Sequence, residues 1–326
     1  MKRAGRILLG LVLFAAVAAP WLSPNAPERT FSDALYAPPT PIHLGVGSGD
    51  LGVGPHIYPL RLVSRLERRF EEDRSQPVPL HWFANGRLIS VGEGQGPLLL
   101  MGADAFGRDI FSRLLYGART SLALAVVATF GALLVGALVG GIAGYASGMV
   151  DEVLSRGSDF ILVLPAIYVA LALRSVMPLV LPASTVFLVL AAIFSMLGWP
   201  IVARGVRAIV TSERQRDYAE AARALGASPA RLLGRHLLPA ARGYLVTQAT
   251  LLLPAFILAE ATLSYVGLGF PDVVPTWGTM LQDAANVAVV GDAPWTLAPA
   301  AAIFVFVLAV NLTVQGEGHA PVQLEP

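Results

Sequence analysis

Five long apolar runs, at about residues 119–146, 156–176, 179–203, 244–268 and 295–314, constrain this chain more than any other feature of its sequence. Each reaches or approaches the roughly 20 residues that a helix needs to cross the hydrocarbon core of a bilayer. Lipid offers no hydrogen bonds, so a run of this kind has to satisfy its backbone internally, and only a helix does so within one segment. Composition agrees. Charged residues make up 14% of the chain, where soluble domains carry about a quarter. Pro165, Pro254 and many glycines interrupt the runs, as membrane helices tolerate. In the first run Gly136, Gly140 and Gly144 recur every four residues, which leaves one helix face bare for close packing against a neighbour. The expected fold is an all-α membrane protein.

A shorter run opens the chain. Lys2, Arg3 and Arg6 precede an apolar stretch from Ile7 to Leu22, closed by Trp21. A cleaved signal peptide has this design too, with Ala16-Val17-Ala18 as a cleavage site. The reading adopted is a retained transmembrane helix over 1–23, a signal anchor, which brings the total to about six.

Residues 24–118 are polar by comparison and read as an extracytoplasmic loop with a small subdomain between the first two helices. Prolines and glycines fill its start, as in an extended linker. Leu62, Leu66 and Phe70 stand at i, i+4 and i+8, which predicts an amphipathic helix over 60–74. Asn85-Gly86 between two β-prone runs predicts a type I′ hairpin.

Arginine sets the orientation. The segment 204–242 carries Arg204, Arg207, Arg214, Arg216, Arg223, Arg231, Arg235 and Arg242 against Glu213, Asp217 and Glu220. A short basic loop stays on the cytoplasmic side, and the basic N-terminus joins it there. Long loops translocate largely regardless of charge, so 24–118 lies outside. The tail, 315–326, falls inside by parity alone. The core is then a five-helix body over 119–314 with one cytoplasmic loop at 204–242.

Within that loop the residues predict two short helices about a glycine. Ser212 with Gln215 has capping-box spacing, Gly226 suits the left-handed position that ends a helix, and Ser228-Pro229 reads as N-cap and first turn of a second helix that stops at Pro239. A DNA-binding helix-turn-helix has the same outline, and a basic loop can also lie on anionic lipid. A tight loop between membrane helices disfavours the first. Nor does a net charge of +1 suit nucleic acid, which needs a clustered basic excess.

The same residues carry a resemblance. Glu220-Ala221-Ala222, Gly226 after three intervening residues, and Leu238-Pro239 after nine more and two further positions are similar to the EAA loop of ABC-importer permeases. His236 replaces the usual isoleucine, as in the dipeptide/oligopeptide branch. MGADAFGRDIFSRLLYGARTSL (101–122), GYASGMVDEVLSRGSD (144–159), ILAEATLSYVGLGF (257–270) and PTWGTML (275–281) also look like that branch, with Met101 and Ala103 as departures. The likeness covers about residues 101–312. The stretch 24–100 is unlike the family's usual loop and reads as an insertion, and the tail departs too. The resemblance implies the fold of a type I importer permease in the bacterial inner membrane. It also implies coupling of Glu220, Ala221, Ala222, Gly226, Leu238 and Pro239 to a cytoplasmic ATPase. Its partners would be a second homologous permease, two ATPase subunits, an extracytoplasmic substrate-binding protein and membrane lipid.

Catalytic chemistry finds no foothold. The phosphate-binding pattern GxxxxGK[ST] needs a lysine, and the only one is Lys2, so ATP has to be bound by partner subunits and no cofactor of the chain's own is expected. Cysteine is absent and His43, His56, His81, His236 and His319 lie far apart, so no metal site is expected. Glu260 is the one acid deep in an apolar run. An intramembrane carboxylate is a functional candidate by default, either as the proton carrier of an ion-coupled secondary transporter or as a structural hydrogen-bonding group near a helix break. Arg108 and Asp109 are adjacent, so on a helix they do not face each other and each needs a partner elsewhere.

Overall fold

The computed structural model describes residues 2–45, 54–64, 67–75, 77–92, 94–176, 178 and 181–314. They form two compact units: one runs through Ser121 and includes Ser264–Thr313, the other holds Leu122–Leu263.

The first unit opens with helices α1 (Lys2–Val17) and α2 (Ala19–Leu22). Glycine lets α1 approach the last helix of the chain: a Cβ at Gly5 would lie 2.8 Å from the amide nitrogen of Thr313. Seven short strands follow among the described residues: β1 (Ile42–Gly45), β2 (Gly54–Ile57), β3 (Leu60–Ser64), β4 (Arg69–Glu72), β5 (Val78–Pro79), β6 (His81–Trp82) and β7 (Ile89–Ser90). All pair antiparallel, as a three-stranded sheet in the order β1-β2-β5 and two ribbons, β3-β4 and β6-β7. Ile57, Val78, Leu80 and Leu98 form one small core; Ala34, Ala37, Leu99 and Ala103 form another, with Phe31, Leu60 and Phe70 packed on it.

The amphipathic helix expected over 60–74 is therefore a β-ribbon. Leu62 pairs with Phe70 across it. A spacing of four residues returns to one face in a strand as well as in a helix, so Leu62 and Phe70 satisfied both periods; Leu66 lies outside the described residues. Arg68 holds a positive φ of 49° beside β4. The Asn85-Gly86 turn forms as expected: both residues have positive φ (54° and 72°), and the Arg87 amide donates to the Ala84 carbonyl at 3.0 Å.

The long helix α3 (Ile110–Ala146) leads into the second unit. There α4 (Gly148–Val163) and α5 (Ala166–Ser175) meet at an 85° bend, where Pro165 has no amide hydrogen to continue the helix. Next comes α6 (Ala183–Glu213). The glycine face of α3 lies on it. A Cβ at Gly136 would meet the Trp199 carbonyl at 2.8 Å, one at Gly140 the Ala203 Cα at 2.9 Å, and one at Gly144 the Arg207 carbonyl at 2.6 Å. Backbone cannot yield as a side chain can. Gly140→Ile should therefore lower the thermal midpoint of the detergent-solubilised protein by the equivalent of about 3 kcal/mol, the upper range for overpacking. Gly157→Ala, where nothing lies within 4 Å, should leave it unchanged or slightly raised.

The second unit continues with α7 (Asp217–Ala224), α8 (Pro229–Leu232) and α9 (Arg242–Tyr265). Back in the first unit are α10 (Trp277–Met280), α11 (Val287–Asp292) and α12 (Ala298–Val314). Among the described residues, four helical stretches are long and apolar enough to cross a membrane: Ile110–Ala146, Ala183–Glu213, Pro229–Tyr265 and Pro294–Thr313. A contact inside the first unit fixes the remaining count. The Trp295 indole donates to the Ala103 carbonyl at 3.0 Å, and Arg108 joins Asp104 to Asp272. No bilayer fits between groups in hydrogen-bond contact, so the chain between them crosses an even number of times. Three unbroken helices lie in that interval; the bent α4–α5 pair supplies the fourth crossing. At 16 residues α1 is shorter than the others, but with α2 it runs to Leu22, roughly 30 Å at 1.5 Å per residue. The four stretches and the bent pair make five crossings among the described residues.

Candidate functional site: the arginine-rich elbow

The elbow begins one turn later than the sequence suggests. Ser212 lies in the last turn of α6, which runs on to Glu213, and α7 starts at Asp217 with Arg216 before it and no side-chain cap. Glu213 is engaged instead by Arg216 at 3.1 Å and by the Tyr218 hydroxyl at 2.7 Å. Asp217 and Glu220 fall in the first turn of α7 and Arg223 in its last, a charge order that complements the helix dipole.

Gly226 ends α7 with φ of 82°. The Ala227 amide donates to the Ala222 carbonyl at 3.0 Å and the Gly226 amide to the Arg223 carbonyl at 2.9 Å. Those two bonds are a Schellman closure, which needs a left-handed residue at this point. Two residues on, the Ser228 hydroxyl accepts from the Arg231 amide at 3.4 Å and Pro229 takes the first turn of α8. Helix end and helix start are thus both capped, with only four residues between α7 and α8, and the elbow is stiff.

Pro239 does not end the second helix. The backbone widens to a π-turn over Leu233–Leu237, tightens to 3-10 over Leu238–Ala241, and continues as α9. The offset absorbs the hydrogen bond that proline cannot make, as π-bulges commonly do.

Of the six residues expected to serve the elbow, Glu220, Ala221 and Gly226 are exposed, and Ala222, Leu238 and Pro239 half-buried. Ala219, Leu232, Leu237 and Ala241 are fully buried and hold the loop down. Leu238 also covers α3, where a Cβ at Gly141 would meet its methyl at 3.0 Å. The outermost apolar side chain is Leu225, 89% exposed beside Gly226, which sequence reasoning passed over. An ion pair of Glu220 with Arg223 does not form. The Arg223 guanidinium donates to the Arg214 carbonyl at 3.2 Å and lies 6.0 Å from the Tyr145 ring centre.

Three of the eight loop arginines reach back by hydrogen bond to α3, to α4 or to the link between them. Arg204 meets Asp159 at 2.6 Å, Arg207 forks onto Asp151, and Arg214 donates to the Tyr145 carbonyl at 2.8 Å and to the Ser147 hydroxyl. Arg214 thereby satisfies a carbonyl left open at the end of α3. Glu260 in α9 is wholly buried and has a partner.

A second polar cluster occupies the first unit. Asp104 accepts from the amides of Phe106 and Arg108, each at 2.9 Å, in a tight turn closed by Gly107. Arg108 Nε reaches Asp104 at 2.6 Å and its Nη1 reaches the Asp272 carboxylate at 2.9 Å. Arg113, 1% exposed, donates to the Asp272 carbonyl at 3.0 Å and lies 3.6 Å from Asp104. Asp109 accepts from Asn25 at 3.0 Å and Ser112 at 2.5 Å. Burial pushes its carboxyl above the usual range, against the pull of those hydrogen bonds. Arg108 and Asp109 do find separate partners, as expected. Sequence reading missed Arg113, Asp104, Asp272 and Asn25 as members of the cluster, because Asp272 stands 164 residues from Arg108 and Asn25 stands 84 from Asp109.

Residues 132–316 match the family described as "Binding-protein-dependent transport system inner membrane component". The dipeptide transport system permease protein DppC of Alkalihalophilus pseudofirmus is 38% identical over 66% of this chain and 68% of its own length. The di/tripeptide transport system permease protein DppC of Pseudomonas aeruginosa is 30% identical over 96% of this chain and 84% of its own. That alignment takes in the strand-rich stretch 24–100, which is thus not peculiar to this chain. The inward-facing MetNI methionine ABC transporter aligns with a TM-score of 0.47 at 20% identity, over 63% of this chain and 96% of its own. The chain belongs to the family of inner-membrane permease components of binding-protein-dependent ABC transport systems.

Proposed function

We propose that this chain forms half of the translocation pore of an importer for short peptides, and that partner ATPases drive it through the elbow at 204–242. The observation that carries the reading is the doubly capped turn at Gly226. A stiff exposed knob joined without a break to a membrane helix can pass a push from an ATPase into the bilayer. Relatives named for dipeptide and di/tripeptide transport support the substrate class. The complete transporter comprises a homologous second permease, two cytoplasmic ATPase subunits and an extracytoplasmic binding protein. Lipid surrounds the permease pair. ATP binds only on the ATPase subunits, and this chain needs no metal or cofactor. No observation favours the ion-coupled alternative, and Glu260 is assigned a structural role.

Residues 1–23 are retained as a membrane helix. Its close approach to α12 through Gly5 supports this, since a cleaved signal peptide has no use for such a fit. The N-terminus and the elbow are cytoplasmic by the arginine rule, and the subdomain within 24–118 is extracytoplasmic. The tail over 315–326 lies outside the described residues.

Two measurements test the proposal. Purified alone, the chain should hydrolyse no ATP above background, since its single lysine is at position 2 and the phosphate loop requires one; robust hydrolysis would refute the assignment of that role to partners. Because cysteine is absent, sidedness can be read directly. In intact cells an impermeant maleimide should modify Ser75→Cys and spare Ser228→Cys. The reverse pattern would invert the orientation.

A further inference from the structure

We propose that the β6–β7 hairpin is a membrane-interface anchor, whose Trp82 and Phe83 join Trp21 to form an aromatic cluster seated among the lipid headgroups of the outer leaflet. The inference rests on the reading of residues 1–23 as a retained membrane helix with 24–118 outside.

All three rings are open, and two of them lie close together. Trp21 is 41% exposed, Trp82 50% and Phe83 71%, and the Trp21 and Phe83 ring centres lie 6.2 Å apart. Single exposed aromatics need no explanation, but a cluster marks a surface that something covers. Its location says what. Trp21 lies in α2, in the last turn before the chain leaves the apolar run at Leu22. Bonds fix the hairpin at that level: the Leu88 amide donates to the Trp21 carbonyl at 2.7 Å, and the Arg87 guanidinium donates to the Pro24 carbonyl. The one cation of the turn is thus turned back onto the chain.

The hairpin is also shaped to present them. Its tip is the Asn85-Gly86 turn, and Phe83 itself has a positive φ of 53°, which a bulky residue rarely adopts. That conformation is held by a bond from the Phe83 amide to the Leu88 carbonyl at 3.0 Å. Tryptophan gathers at the boundary between lipid and water, where its ring is apolar and its N–H stays wet. A lipid surface therefore fits this cluster better than a protein groove, which would require a complementary pocket positioned at membrane height.

The test uses the full chain in nanodiscs of phosphatidylethanolamine and phosphatidylglycerol, with a nitroxide on Phe83→Cys or, separately, on Trp82→Cys. A label on Ser75→Cys serves as the solvent reference. At positions 83 and 82 the nitroxide should relax several-fold more with oxygen than with a water-soluble nickel chelate, and at 75 the ratio should reverse. If all three labels meet nickel equally while Ser75→Cys is still modified from outside in cells, the anchor is refuted and the topology stands. If Ser75→Cys is modified only from inside, the topology fails and the anchor with it. Protection of position 83 only when a substrate-binding protein is added would assign the cluster to protein docking and overturn the proposal.

Discussion

Arg108→Ala should be the most damaging substitution to the body of the protein. The guanidinium spans two carboxylates, Asp104 at 2.6 Å and Asp272 at 2.9 Å, and is itself buried. Removing one partner of a buried pair costs about 3–5 kcal/mol, because the charge left behind has lost its water without compensation. Whole domains are stable by only about 5–15 kcal/mol, so little folded variant should accumulate in membranes. Asp104→Asn should approach that loss, since Asp104 is 4% exposed. Asp272→Asn should be milder, because its side chain is 40% exposed and solvent takes over part of its role. Arg108→Lys should fall between, keeping a charge but not the fork that reaches both acids. Thermal midpoints in detergent and membrane yields would rank the four. Equal stability of Arg108→Ala and the native protein would show that the cluster does not hold this unit together.

Gly226→Val should have the opposite profile, with normal insertion and lost transport. Nothing lies within 4 Å of a Cβ at this position, so the change meets no clash. Its cost is conformational: φ is 82°, and the left-handed region costs an ordinary residue about 1–2 kcal/mol and a β-branched one more. That penalty is too small to unfold a membrane body but falls wholly on the Schellman closure. The turn should open, Leu225 and Glu220 should lose their relative placement, and a partner ATPase should no longer co-purify. Gly226→Asn, which tolerates the left-handed region, should restore most of the uptake of a labelled dipeptide. Uptake and retention at native levels in the valine variant would show that the elbow is not the coupling element.

The membrane helices were legible in the sequence because a bilayer imposes one requirement, about 20 apolar residues, that no neighbour can override. Local backbone signals were equally readable: Asn85-Gly86, Gly226, and Ser228-Pro229 behave as their own stereochemistry dictates. Where two periods agree, the sequence was ambiguous, and Leu62 and Phe70 went to a strand pair rather than a helix. Ser212 and Pro239 show the reverse, since a capping residue and a helix breaker were overridden by longer helices continuing through them. The polar cluster was hidden for a different reason. Asp104 and Arg108 are four residues apart and could be paired by eye, but Asp272 comes to them only through the folded chain.

The bare seam between α3 and α6 bears on how such a protein moves. At Gly136, Gly140 and Gly144 backbone lies against backbone or a β-branched side chain, so there is no cushion of flexible side chains to shear. Packed surfaces of this kind have discrete arrangements rather than a continuum. The two helices should therefore travel through a transport cycle as one piece. Displacement is then taken up where the backbone is already released from its ladder, and one such place is Leu164-Pro165, where α5 would swing while α3 and α6 keep their register. On this view the glycines set the size of the moving part, and the proline locates its joint.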